Sequence, residues 1–134
     1  MNVKYALGFN EPDGCDGGSS CVDAKVAAKV WKKQIEPLRE HGIKLGSPAV
    51  RPNGDGSSWL REFYAHCDGK CTVDFNAAHF YGDSVGLASW VSSLADTYPN
   101  VTTTWVTEFA YPDGPLDATE QTFNDSMAYM DGQS

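Results

Sequence analysis

Two glutamates stand where this chain could carry out acid–base and nucleophilic chemistry. Glu11 lies in Leu7-Gly8-Phe9-Asn10-Glu11-Pro12-Asp13, and Glu108 in Trp105-Val106-Thr107-Glu108-Phe109-Ala110. Each closes an apolar, β-prone run where a strand should give way to a loop, the position at which ligands bind in parallel α/β sheets. A pair of carboxylates so placed is the minimum equipment for hydrolysing a glycosidic bond. The ring of Pro12 disfavours helical dihedrals in the residue before it, so Glu11 is expected to be extended and fixed at the strand end. Asn10 offers a donor and an acceptor beside it. Glu108 is a charge among apolar neighbours, a rare situation unless the group is paired or functional. In Ala78-His79-Phe80-Tyr81-Gly82, the histidine and the tyrosine share one face of a strand, within reach of a nearby carboxylate. A lone Asn-Glu-Pro would read as a turn and a lone His79 as a core residue; the second glutamate is what makes the set chemical.

These side chains must be carried by a scaffold, and the chain alternates strand-like with helix-like segments. Strands are expected over residues 3–10, 43–50, 73–81 and 102–109. Helices are expected over 23–41, from a cap at Ser57 or Ser58, around Leu87 to Tyr98, and after Asp117-x-x-Glu120, which resembles a capping box. Ala27, Val30, Trp31, Ile35 and Leu38 fall on one face of the first helix, where Pro37 should kink or shorten it and Gly42 should end it. Trp59, Leu60, Phe63 and Tyr64 mark the second helix, and Phe123, Met127 and Met130 the fourth. Pro99-Asn100 is expected to break the third helix, and Pro112-Asp113-Gly114-Pro115 to form a turn. Four βα units in succession, with no change in composition, argue for a single α/β domain over residues 1–134 with a parallel sheet and helices outside it. A closed (β/α)8 barrel takes about 250 residues, so four units correspond to half of one.

Composition narrows the partners. The 10 basic and 18 acidic residues leave a net charge of −8, which disfavours nucleic acid and anionic membranes and leaves neutral polymers open. The 4 Trp, 6 Tyr and 6 Phe supply faces that can pack on sugar rings, although most aromatic residues serve a core. No run reaches the roughly 18 apolar residues of a membrane helix, and no signal peptide is visible in this sequence, so the natural N-terminus is expected to lie elsewhere. The four cysteines form two close pairs, Cys15/Cys21 and Cys67/Cys71, among Gly, Asp and Ser. Their spacings suit two local disulfides in an oxidising compartment better than zinc knuckles. The sequons at Asn100 and Asn124 point the same way.

The segments LGFNEPD, IKLGSPAV, VDFNAAHFYG and WVTEFAYP, in this order and spacing, resemble glycoside hydrolase family 128. That family contains the fungal glycosyl hydrolase catalytic cores of the alkali-sensitive linkage type and belongs to the clan of retaining (β/α)8-barrel glycosidases. The likeness runs from Tyr5 to about Gly132. It implies a TIM-barrel-type fold of which this chain carries strands four to seven. On that ground the chain is expected to be a partial catalytic domain that begins inside a longer protein. By position, Glu11 resembles the acid/base, Asn10 the asparagine that contacts the sugar 2-hydroxyl, and Glu108 the nucleophile. His79 and Tyr81 fall where the sixth strand orients that nucleophile. Cys67 and Cys71 match a cysteine pair common in the family. Phe80 stands where many relatives carry tryptophan, a difference that bears on stacking against a sugar ring.

The resemblance further implies retaining hydrolysis of β-1,3-glucan in an extracellular or cell-wall setting, with no metal or organic cofactor. It implies a monomer where the barrel is complete. Glu11 is expected to be kept protonated by the like charge of Glu108 and by partial burial. Two other readings compete: a glucan-binding protein without turnover, and a fragment with no independent activity.

Overall fold

In the computed structural model, which describes residues 3–98, 100–112 and 114–133, four short strands alternate with four helices. They run in the order β1 (Tyr5–Ala6), α1 (Ala24–Val30), β2 (Lys44–Leu45), α2 (Gly54–Cys67), β3 (Asn76–Tyr81), α3 (Ser84–Thr97), β4 (Thr104–Ala110) and α4 (Leu116–Asp131). All pairings are parallel. β1 lies on β2, and the pairing resumes at the Asn10–Ala49 bridge; a Gly46–Phe75 bridge joins β2 to the stretch entering β3; β3 lies on β4. The strands are thus neighbours in chain order, as four successive βα units require. The regular ladders are shorter than the expected runs over 3–10 and 43–50, partly because Pro48 has no N–H to donate.

The core forms where α1 and α2 cover β2. Trp31 and Phe63 are fully buried, Trp59 stacks on Phe63 with ring centroids 5.5 Å apart, and Trp31 meets Phe63 edge-on at 5.4 Å. Ala24, Ala27 and Ala28 give α1 a flat face that lets the large rings approach, and Leu45, Val50 and Leu60 fill the rest. Trp59 is polar at one end, and its indole N–H donates to the Val22 carbonyl at 2.7 Å. That bond pins the loop after Glu11 to α2.

The expected helix over residues 23–41 is broken into three. Asp23 caps α1 by accepting from Val26 N–H at 3.0 Å. A π-helical turn, Trp31–Ile35, and a 3-10 turn, Glu36–His41, then follow. Pro37 supplies the cause: it cannot donate to the fourth residue back, so Glu36 N–H reaches to Trp31 and the chain tightens beyond. Gly42 ends the segment in a left-handed conformation (φ 75°), as its position predicts.

Two caps differ from expectation. Helix α2 starts earlier than Ser57, because Asn53 is extended and its side chain accepts from Gly56 N–H at 2.8 Å. The Asp117–Glu120 capping box does not form, because Pro115 occupies the cap position and places Asp117 in the first turn of α4. Along α4, Phe123 stacks on Phe109 but is 53% exposed, and Met127 is exposed as well. The breaks expected at Pro99 and Asp113 fall on positions outside the described residues. Both disulfides are present, Cys15–Cys21 and Cys67–Cys71. Asn100 and Asn124 are exposed. Among the described residues, no helix is long and apolar enough to cross a membrane.

Asp74 ties the far end of the sheet together. It accepts from Leu45 N–H at 2.9 Å and pairs with Lys44 at 3.2 Å and with Arg39. Burial alone would push its carboxyl up, but these partners outweigh burial and leave it below its usual value. A carboxylate depressed on folding stabilises the protein above its unfolded pKa, about 3.9, and that contribution disappears as pH falls through the folded value. We therefore expect Asp74→Asn to lower the urea midpoint at pH 7 and to make stability flatter below about pH 4, read by denaturation at a series of pH values. Phe63→Ala should cost about 3–5 kcal/mol, measured in the same way.

Candidate active site

Glu11 and Glu108 are brought together by strands that are not neighbours. Facing oxygens of the two carboxylates and Nδ1 of His79 all lie within 4.8 Å of one another. His79 stands between them on β3, with Nδ1 3.2 Å from Glu11 Oε1 and 3.3 Å from Glu108 Oε2. Tyr81, two residues along the same strand and on the same face, donates its hydroxyl to Glu108 Oε2 at 2.8 Å. Glu11, Glu108 and Tyr81 open into a cleft of about 590 Å³ that Asn10, Arg51 and the Gly17–Gly18 loop also line, with His79 buried behind them.

Local backbone irregularities aim both glutamates. The β3–β4 register pairs Ala78 with Val106 and then His79 with Glu108, so Thr107 is an extra residue, a β-bulge. Without it, His79 would face Thr107 and Glu108 would face Phe80, since a one-residue slip turns side chains to the opposite face. The Thr107 hydroxyl donates to the Ala78 carbonyl at 3.3 Å and so engages the backbone at the break. Glu11 is not extended as Pro12 suggested: its φ is +40°. Proline does exclude the right-handed helical region, but the turn closed by Gly14 N–H on the Glu11 carbonyl, with Glu11 N–H held by the Ala49 carbonyl, takes the left-handed alternative. A non-glycine residue held there is strained, as is common at functional sites.

The electrostatics of Glu11 also depart from expectation. Burial pushes its carboxyl up, but hydrogen bonds from His79, Arg51 and Ser19, with the charge of Arg51, bring the net value below the usual carboxylate range. The Arg51 guanidinium lies 3.1 Å from Glu11 Oε2 through Nε. Glu11 is therefore set up as a carboxylate, not as the protonated acid. Tyr81 is raised, first because its proton is donated to Glu108. Glu11, His79 and Glu108 form a set with metal-ligand spacing, but Arg51, Ser19 and Tyr81 already direct donors at the carboxylate oxygens, an arrangement suited to hydrogen bonding.

Of the residues singled out from sequence, Glu11, Glu108, His79 and Tyr81 converge directly. Asn10 lines the cleft with its amide donating to the Gly18 carbonyl at 3.2 Å. Cys15 and Cys21 close the loop that forms one wall, whereas Cys67–Cys71 caps the end of α2 away from the cleft. Phe80 does not line the cleft: alternation turns its ring outward, over Gly82 and Gly86. Sequence reasoning missed Arg51, Asp16 and Ser19. The available signal was a cation directly after the apolar run 43–50, at the same strand-end level as Glu11.

The profile of the glycosyl hydrolase catalytic core family matches residues 1–134. The alkali-sensitive linkage protein 1 of Schizosaccharomyces pombe is 36% identical over 94% of this chain, which covers 24% of that protein. A solved endo-β-1,3-glucanase of family 128, subgroup II, from Sorangium cellulosum is 31% identical with a TM-score of 0.71, over 95% of this chain and 54% of that one. An oligosaccharide-binding protein of subgroup VII from Trichoderma gamsii is 28% identical with a TM-score of 0.82, over 98% and 54%. The chain thus spans about half the length of these solved relatives and a smaller share of the curated one.

The bulge is open to test. Thr107→Val removes the hydroxyl donated to Ala78, and we expect a loss of about 1 kcal/mol in chemical denaturation. As Glu108 leaves its place opposite His79, the Tyr81 phenol should titrate closer to its ordinary value, followed by NMR.

Proposed function

The chain belongs to the glycosyl hydrolase catalytic core family, glycoside hydrolase family 128, and on that premise we propose that it supports retaining hydrolysis of β-1,3-glucan, with Glu11 as acid and base and Glu108 as nucleophile. The observation that carries the proposal is the spacing. Retaining glycosidases hold their carboxyl groups about 5–5.5 Å apart, and inverting ones 6.5–9.5 Å to admit a water. Facing oxygens within 4.8 Å fit the first class.

In this mechanism Glu11 gives its proton to the glycosidic oxygen as Glu108 attacks the anomeric carbon, forming a glycosyl ester on Glu108. Glu11, now a carboxylate, takes a proton from water as that water displaces the ester, and the sugar leaves with its configuration retained. Tyr81 holds Glu108 for in-line attack by donating to its Oε2, and His79 flanks the same oxygen at 3.3 Å. Tyr81, 53% exposed on the cleft, offers its ring to a sugar face. Two disulfides suit an extracellular or cell-wall setting.

One observation favours a second reading, glucan binding without turnover. The Arg51–Glu11 ion pair stabilises the carboxylate where the first chemical step needs an acid, and one relative above is described as oligosaccharide-binding.

The two readings separate on laminarin-type β-1,3-glucan, with reducing ends measured beside binding by calorimetry. Glu108→Gln should abolish turnover by at least ~10³-fold while leaving binding within a few-fold, and Glu11→Gln should slow both chemical steps. Binding by the unmodified chain with no release of reducing ends would favour the second reading.

A further inference from the structure

Arg51 takes no part in the proton and bond transfers above, yet the acid side of the cleft is assembled around it. Its Nε donates to Glu11 Oε2 at 3.1 Å; its Nη2 donates to Ser19 Oγ at 2.6 Å and to Asp16 Oδ1. Its backbone N–H is held by Asp13 Oδ1 at 3.2 Å. Ser19 in turn donates to Glu11 Oε2 at 3.2 Å. The guanidinium lies directly over buried Gly14, where a Cβ would overlap Nη2 and Cζ, so the glycine leaves the seat open. Asp16 and Ser19 belong to the loop closed by Cys15–Cys21. Arg51 is therefore a strut from that loop to the glutamate.

We propose that Arg51 is a positioning residue that holds Glu11 in the ionised, base-competent state, and that the Cys15–Cys21 loop acts on catalysis by holding Arg51. The catalytic half of this inference rests on the retaining-hydrolase reading; the electrostatic half does not. The groups that face Glu11 are Arg51 from the segment after β2, His79 and Tyr81 from β3, and Glu108 from β4, with Asp16 beyond Arg51. Glu108 opposes the charge of Glu11, and Arg51, permanently cationic, supports it. The two halves of a retaining cycle need opposite protonation states of the same carboxyl. Arg51 favours the second half, in which Glu11 acts as base. Protonation of Glu11 breaks only the Nε contact, and the guanidinium stays on Asp16 and Ser19. The acid state is therefore reachable without leaving the guanidinium unpaired.

The test is to follow the Glu11 side-chain carboxyl by carbon-13 NMR through a pH titration of the 134-residue chain, beside the pH profile of glucan hydrolysis. Wild-type Glu11 should titrate below the ordinary glutamate value of about 4.3. Arg51→Met should raise that midpoint by about 1 pH unit or more and move the basic limb of kcat/KM upward equally. Arg51→Lys should recover part of the shift. Gly14→Ala, which crowds the seat and leaves the charge in the chain, should raise the midpoint in the same direction by less, and it answers the question should Arg51→Met fail to fold. A wild-type midpoint at or above the ordinary value, or no change in the folded variants, overturns the proposal. An absence of hydrolysis in every protein, with the NMR shifts as expected, overturns the hydrolase reading and leaves the role of Arg51 on Glu11 standing.

Discussion

Two carboxylates with oxygens inside 4.8 Å repel each other, and the rest of the site is arranged around that repulsion. Each glutamate has its own source of compensation. Arg51 and Ser19 serve Glu11, and Tyr81 serves Glu108. His79 sits between them, with one ring nitrogen facing both. A single N–H is donated to one oxygen at a time, so the histidine cannot satisfy both carboxylates equally, and the pair is built unsymmetrical. The outer partners add to that asymmetry. A guanidinium keeps its charge at all working pH values, whereas a phenol contributes only a hydrogen bond. Two residues of the same type thus acquire different environments, the condition under which one can be asked to exchange a proton and the other to stay charged.

Holding like charges together costs free energy, and the cost is met by the packing behind the strands. Trp31, Trp59 and Phe63 lock α1 and α2 onto β2, and Trp59 reaches the Val22 carbonyl just beyond the loop that carries Asp16 and Ser19. The buried aromatic cluster and the Glu11 side of the cleft are therefore tied together through the Val22 carbonyl. The Glu108 side is held by a parallel β3–β4 pair with a bulge directly before the glutamate. Its outer face is less covered, with Phe109 stacked on a half-exposed Phe123. The two halves of the site differ in how they are covered as well as in the partners of their glutamates.

The fold was legible because four alternations of an apolar β-prone run with a 3.6-residue periodicity admit few topologies, and short connections between parallel strands leave neighbours in chain order. Element ends were less legible. Pro37 announced a disturbance, but the exchange of an α-helix for a π turn and a 3-10 turn follows from how Glu36 and Trp31 rejoin around the missing donor. At α2, Asn53 outcompeted the serines because its backbone was already extended where a cap must be. The local effect of Pro12 was judged on one forbidden region, and the turn found another.

The sequence by itself determined which side chains could do chemistry. Glu11, Glu108, His79 and Tyr81 were identifiable because carboxylates, imidazole and phenol at the ends of apolar runs have few structural uses, and because alternation along a strand fixes His79 and Tyr81 to one face. Only the tertiary structure decided how they meet. The bulge at Thr107, which sets Glu108 opposite His79, depends on the pairing of two strands and leaves no mark in either one alone. The charge state of Glu11 was decided by His79, Arg51 and Ser19 acting together against burial, with Arg51 brought in from a different βα unit and braced by a disulfide-closed loop. Proton affinity is set by distance through space, and distance through space is the quantity that a linear order of residues does not contain.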